Sequence, residues 1–317
     1  MCYSAEFVAE YRAFRQYGGK LDMKTFAKLY GDRFDFPIYK IPKAMDAWFD
    51  QAEGPEGGEI RDHIARYKKQ QSEKLEQELF KQRKRLADAE RTLLSKTTKR
   101  ALEDQRIAGD KVSKILRDLD DLRRQEHRSR DARFFPGNYA PVMVWEDGQR
   151  VIKPMRYQCR LPGWTAAVER KYPGTYNARR DNLGKAWKDL FGKQHGVIVI
   201  SAFYENVERH KMEHRELKDG EASENAVLEF RPRPAQDMVI ACLWNESFDD
   251  EQRLLTFAAV TDDPAPEVAA AGHDRTIIQI KPEHVEAWLT PEGRTEEEMQ
   301  AILSDRPVAF YEHKLAA

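Results

Sequence analysis

Cysteine is scarce in this chain: Cys2, Cys159 and Cys242 are the three cysteines among 317 residues. Residues so far apart make neither a disulfide framework nor a metal-ligand spacing, and free thiols suit a reducing compartment. Long apolar runs are lacking too. Nothing approaches the ~18 uninterrupted apolar residues of a membrane span, and no apolar signal segment follows Met1. The expectation is a soluble, cytoplasmic protein with no membrane partner. No glycine-rich phosphate loop occurs. His210 and His214 stand four apart in a charged run with no third metal donor nearby, and no cofactor is expected. Cys159 and Cys242 read as small buried hydrophobes. A net charge of -1 gives no global electrostatic argument for or against nucleic acid, so any basic surface must be local.

Charge is nevertheless plentiful, at 34% of residues, and much of it is concentrated in one place. From Glu59 to Arg130 there is no proline, and Gly109 is the single glycine. Leu75, Leu79, Leu86 and Leu93 form one apolar stripe; Val112, Ile115, Leu119 and Leu122 form another. Ser95-Lys96-Thr97-Thr98 is the natural turn between them. The spacing predicts an antiparallel helical hairpin or coiled-coil arm over about 59–130, suited to self-association, a protein partner or a nucleic-acid backbone. Basic residues there number about 21 against about 14 acidic ones, a modest excess.

Before the arm, helical spacing of Phe7, Val8, Tyr11 and Phe14 predicts a helix over 3–17, with Ser4 as N-cap and Gly18-Gly19 as stop. A second helix is predicted from Met23 to Tyr30. An irregular passage broken by Pro37 and Pro42 follows, and Gly54-Pro55-Glu56-Gly57-Gly58 reads as a breaker. After Arg133 the text turns to short β-like runs: 142–145, 151–157, 197–202, 227–230, 239–243, 254–260 and 277–280. Glu146-Asp147-Gly148 joins the first two as a hairpin. Helices are predicted over 178–191, capped by Asn177, and over 282–290. The fold class is α+β: a mixed, mostly antiparallel β domain with peripheral helices and a long inserted helical hairpin. The expected domains are 1–19 with 131–317, interrupted by a helical insertion over 20–130.

The chemistry centres on Cys2. Removal of Met1 would give one residue both a free α-amine and a thiol, with ordinary pKa values near ~7.7–8.0 and ~8.5. A 1,2-aminothiol condenses with an aldehyde and closes a thiazolidine ring. Four other stretches present polar residues where a strand or turn would display them. Asn138-Tyr139-Ala140-Pro141 leads into the first β run, and Asn177-Ala178-Arg179 opens the predicted helix. Phe203-Tyr204-Glu205 ends a buried-looking strand, where desolvation would raise the carboxyl pKa into general acid/base range. His273 and Arg275, two apart in an extended stretch, share a face and suit a proton shuttle beside an anion clamp.

In this order the motifs resemble those of the SOS-response-associated peptidase (SRAP) family, whose members covalently trap abasic sites in single-stranded DNA. The family opens Met-Cys, as Met1-Cys2 does here. Its Asn-x-Ala-Pro turn is matched by 138–141, its Arg-Trp/Tyr-Gly-Leu-x-Pro-x-Trp stretch by Arg156 to Trp164, and its Asn-Ala-Arg motif by 177–179. Its Gly-Phe-Tyr-Glu strand end is matched by 202–205, and its His-x-Arg-Met-Pro motif by His273-Asp274-Arg275. Tyr3 stands where the family usually has Gly, Ala202 replaces a Gly, and Thr276-Ile277 replaces Met-Pro. The resemblance implies an α+β catalytic domain and a crosslink between Cys2 and an abasic-site aldehyde. It also implies catalytic roles for Cys2, Asn177, Glu205 and His273, and DNA contacts from Arg179, Arg275, Trp164, Asn138 and Pro141. The partner implied is single-stranded DNA with an abasic site. A thiol-dependent peptidase or autoprotease and a non-covalent single-strand-binding module are the alternative readings.

Overall fold

The computed structural model describes residues 2–36, 38–249 and 252–316, with the side chains of Cys2 and Asp249 outside that description. Met1 and Pro37, both invoked above, lie outside the described residues. The chain forms two compact units, Met1–Ala52 with Ser129–Ala317, and Glu53–Arg128.

The first unit carries the β structure. Its strands are β1 (Cys2–Phe7), β2 (Lys20–Leu21), β3 (Arg133–Phe134), β4 (Tyr139–Glu146), β5 (Gln149–Tyr157), β6 (Asn177–Arg179), β7 (His195–Glu208), β8 (Asn225–Arg233), β9 (Met238–Asp249), β10 (Gln252–Asp262), β11 (Thr276–Ile277) and β12 (Phe310–Leu315). Short helices lie between them: α1 (Arg12–Arg15) and α2 (Met23–Asp32) in the N-terminal part. Residues 20–52, expected to open the helical insertion, belong to this unit, and Lys20-Leu21 pairs in parallel with Val151-Ile152.

The pairings β7–β4, β4–β5, β5–β10, β10–β9 and β9–β7 close a circuit of five strands. All are antiparallel except β5–β10. The apolar run Val197–Ile200 is buried on both faces because β7 lies between neighbours and under a helix. Trp288 of that helix stacks on His195 at 4.0 Å and donates from Nε1 to the Gly196 carbonyl at 2.9 Å. Fourteen residues long, β7 extends past the circuit, and its second half pairs with β1 on one edge and β8 on the other.

Three sequence expectations are corrected. Residues 2–7 form a strand where a helix over 3–17 was expected, and helix survives only in Arg12–Arg15. Ser4 is therefore a buried strand residue, its hydroxyl accepting from Arg133 Nε at 3.0 Å, and caps nothing. The pairing of β1 with both β7 and β3 satisfies its backbone groups, a tertiary gain that outweighs weak local helical periodicity. Asn177–Arg179 is likewise a strand, parallel to Ala259–Thr261, and turns follow where a helix over 178–191 was expected. Gly54–Gly58, expected to break the chain, forms the first turn of a long helix, with Pro55 at a position where its missing N–H costs nothing.

The second unit is that helix, α3 (Gly54–Ser95), paired with α4 (Lys99–Arg123). Their turn falls at Lys96–Thr98, and the Thr98 side chain caps α4 through the Ala101 N–H. Ala89 on α3 and Ala101, Ala108, Ile115 and Leu119 on α4 are buried, and Arg85 meets Asp104 across the pair.

The remaining helices are α5 (Ala166–Lys171), α6 (Arg209–Met212), α7 (Pro266–Ala270), α8 (Val285–Leu289) and α9 (Glu296–Ser304). Among the described residues no helix is long and apolar enough to cross a membrane.

Candidate active site

The site forms where β7 leaves the closed circuit. There the antiparallel register sets Cys2 opposite Glu205 and Ser4 opposite Tyr204, with an irregularity between the two pairs. The backbone of residue 2 is thus held beside the one carboxylate of the Phe203-Tyr204-Glu205 strand end. The direction of its thiol lies outside the described residues.

Glu205 is fully buried, and neither carboxyl oxygen closes a hydrogen bond among the described residues. Desolvation raises its pKa to about 8, against the opposing pull of the nearby Tyr3 backbone N–H and, more weakly, of the Arg275 charge. Its Oε2 lies 3.4 Å from His273 Nε2. The other ring nitrogen, Nδ1, faces the Arg275 carbonyl at 3.0 Å, so Nδ1 carries the proton and Nε2 is left to accept. Burial also lowers the His273 pKa. Both shifts favour the same state, a neutral carboxylic acid facing a neutral imidazole, with the proton on Glu205.

His273 is positioned by the segment after α7. Gly272, at φ +93°, packs so tightly that a Cβ there would lie 2.9 Å from Lys211 Cβ and 3.1 Å from Val207 Cγ1. The loop thus closes directly onto the end of β7. Beyond it, Arg275 makes a two-point pair with Asp274, at 3.1 and 2.9 Å. Asp274 is the main cause of its raised pKa, and Glu205 and Tyr176 contribute, so the guanidinium stands within electrostatic reach of both.

Asn177 reaches the same end of the sheet along a different strand. Thr261 of β10 lies between Arg179 of β6 and Ile277 of β11, so the Asn-Ala-Arg and His-x-Arg segments flank a common strand. Tyr157 donates its hydroxyl to Asn177 Oδ1 at 3.4 Å, while the buried Nδ2 has no partner among the described residues. The site therefore contains an unsatisfied donor on Asn177 and an unsatisfied carboxyl on Glu205. Buried polar atoms of this kind are rare in folded proteins and cost free energy unless something pairs with them.

The other sequence-predicted residues are placed as follows. Arg179 is partly exposed and faces Asp181 at 3.1 Å and Asp263 at 3.5 Å. Trp164 is half-buried against Tyr172, with ring centroids 5.6 Å apart. Asn138 closes its own turn by accepting from the Phe135 N–H at 3.1 Å. Pro141 is buried in β4 opposite Pro154. The thiols of Cys159 and Cys242 are fully buried, and burial pushes that of Cys159 up to about 12, far from nucleophilic use.

A cluster that the sequence reading missed supports β1 from below. Glu6 is buried and accepts from Ser129 Oγ at 2.6 Å, Tyr204 Oη at 3.0 Å, Ser201 Oγ at 3.0 Å and Arg231 Nη2 at 2.9 Å. Arg133, bonded to Ser4, lies 3.7 Å over the Tyr204 ring. The signal was present in the alternation Ser4-Ala5-Glu6-Phe7, which has period two.

A family model described as SOS response associated peptidase (SRAP) matches residues 91–315. The chain belongs to this family. Membership supports a role associated with DNA damage. Among solved structures, a protein from Bordetella bronchiseptica is 16% identical, covering 59% of this chain and 87% of its own, with a TM-score of 0.47. A phage-related protein from the same bacterium is 15% identical over 62% of this chain and 85% of its own, with a TM-score of 0.44. No curated protein matches the chain. The SRAP match spans β3 to β12, and β1, with Cys2, lies before it.

Proposed function

We propose that this protein crosslinks itself to abasic sites in single-stranded DNA through Cys2, after removal of Met1. The observation that carries the reading is the pairing of residue 2 with Glu205, whose buried, unbonded carboxyl faces His273 at 3.4 Å. In this proposal the Cys2 amine adds to the ring-opened aldehyde to give a carbinolamine. Glu205, protonated at neutral pH, gives its proton to the departing hydroxyl, and water leaves to form an imine. The thiol then adds across the C=N bond, its proton passing to nitrogen, and closes the thiazolidine. One water is released overall and no oxidant is needed.

His273 returns the proton to Glu205 through Nε2. Asn177 Nδ2 orients Cys2 or the opened sugar. Arg275 and Arg179 attract the flanking phosphates, Trp164 stacks on a neighbouring base, and Asn138, just before the buried start of β4, borders the groove. Such contacts make binding weaken as salt rises.

The test is a denaturing gel after mixing the protein with single-stranded DNA carrying one abasic site. A heat-stable shifted band that disappears in Cys2→Ser supports the reading. A Cys2→Ser protein that still yields the band would sink it, and a wild-type protein that retards the DNA only on native gels would favour the plain binding module.

A further inference from the structure

The helical arm has a second face that its own fold leaves open. On α3, Glu76, Phe80, Arg83, Ala87, Glu90 and Leu94 step by four and three residues, the spacing of a coiled-coil seam. On α4, Leu102, Gly109, Leu116 and Arg123 step by seven. The two stripes share one side of the hairpin, because Glu76 and Arg123 meet across it at 2.5 Å, whereas Arg85 and Asp104 close the opposite side. Phe80 is 72% exposed, Leu94 90%, Leu102 49% and Leu116 42%, although each stands in a heptad position. A Cβ at Gly109 would meet nothing within 4 Å.

We propose that this face binds a second copy of the same chain, making an antiparallel four-helix bundle from two arms. Charge complementarity selects that occupant. Arg83 and Glu90 sit within the seam, and neither has an ion-pair partner among the described residues, while the neighbouring Arg85, Arg91 and Arg123 are all paired. Seven residues separate them, about 10 Å along the axis, too far to meet within one helix. A two-fold axis through Ala87 brings Arg83 of each copy to Glu90 of the other, and Phe80 to Leu94. The same axis passes Gly109, which stands level with Ala87 in the hairpin, and brings Leu102 to Leu116. One symmetry operation therefore satisfies both stripes, as an isologous interface requires. Small residues at the centre let the helices approach, and apolar layers close both ends. This proposal does not depend on the crosslinking chemistry.

Sedimentation equilibrium of the full chain, with circular dichroism to check helix content, tests it. The expected mass is twice the 36.9 kDa of one chain. Leu94→Glu and Arg83→Glu should each weaken the dimer at least tenfold with helicity unchanged. The charge swap Arg83→Glu with Glu90→Arg should restore it to within threefold of the wild type. A monomer at all concentrations overturns the proposal, and so does a dimer indifferent to Leu94→Glu. Failure of the charge swap to rescue Arg83→Glu, in a variant of normal helicity, overturns the two-fold arrangement.

Discussion

At the scale of single residues the account rests on a carboxyl kept neutral. Glu205 is buried away from solvent, and that desolvation outweighs the Tyr3 backbone N–H and the Arg275 charge that favour its ionised form, so ionisation is postponed to about pH 8. In the crosslinking proposal the acid must be protonated while the Cys2 amine is free. The rate should therefore rise with pH as the amine deprotonates, then fall as Glu205 ionises. Glu205→Gln should lose the alkaline fall and slow the reaction by about 100-fold; rates of band formation between pH 5 and 9 measure both. The stability sign follows from the same shift. A folded-state pKa above the unfolded one means that the folded protein holds its proton longer. Its stability relative to a neutral side chain is full below about pH 4.5 and declines as pH rises towards 8. Glu205→Gln should thus be more stable than wild type at pH 9, by about 5 kcal/mol, and nearly equal at pH 5, as read from urea denaturation. His195 acts in the opposite sense. Burial lowers its pKa to about 3, with Nε2 accepting from the Gly192 N–H at 2.8 Å and Nδ1 facing the Trp288 carbonyl at 2.9 Å. Its contribution is full above the ordinary histidine pKa and is lost as pH falls from about 6 towards 3, so it belongs to the acid limb of unfolding.

At the scale of elements, the site depends on a loop and two strands meeting at one end of β7. Gly272 is the hinge of that meeting. Gly272→Ala should cost about 1–3 kcal/mol, since the residue is left-handed and its Cβ would collide with Lys211 and Val207. Crosslinking should slow even where the protein remains folded, because His273 moves with the loop; thermal melting and the gel assay separate the two effects. The strands of the circuit were legible in the sequence because Val142–Trp145, Val151–Tyr157 and Leu254–Val260 carry β-branched and aromatic residues bounded by turns. The Glu146-Asp147-Gly148 turn gave the hairpin, and Asp147 and Gly148 do adopt positive φ. Strands β1 and β6 were not legible. Each is short and is held by partners far along the chain, β7 for β1 and β10 for β6, which no local window contains. Of the candidate site, Glu205, His273, Asn177 and Cys2 could be named from their motifs. What brings them to one end of the sheet could not be read, since it depends on the register of β1 against β7 and on two strands sharing β10.

At the scale of the whole molecule, the chain divides into a unit that holds the candidate chemistry and an arm with its own helix–helix seam. The arm was the most legible part, because heptad spacing and a proline-free, charged composition need no distant partner to interpret. Because Met1–Ala52 with Ser129–Ala317 forms a compact unit by itself, replacing residues 53–128 by a flexible linker should leave it folded. Its crosslinking rate should stay within about threefold of the full chain's, while the dimer proposed above is abolished; sedimentation and the gel assay on the same preparation measure both. The central claim concerns one bond, and intact-mass spectrometry of the adduct with a short abasic-site oligonucleotide tests it most directly. The account predicts a single species equal to the chain without Met1 plus the oligonucleotide minus one water, unchanged in mass by borohydride because a thiazolidine has no imine to reduce. An adduct that retains Met1, or one that gains two hydrogens on borohydride treatment, would contradict it.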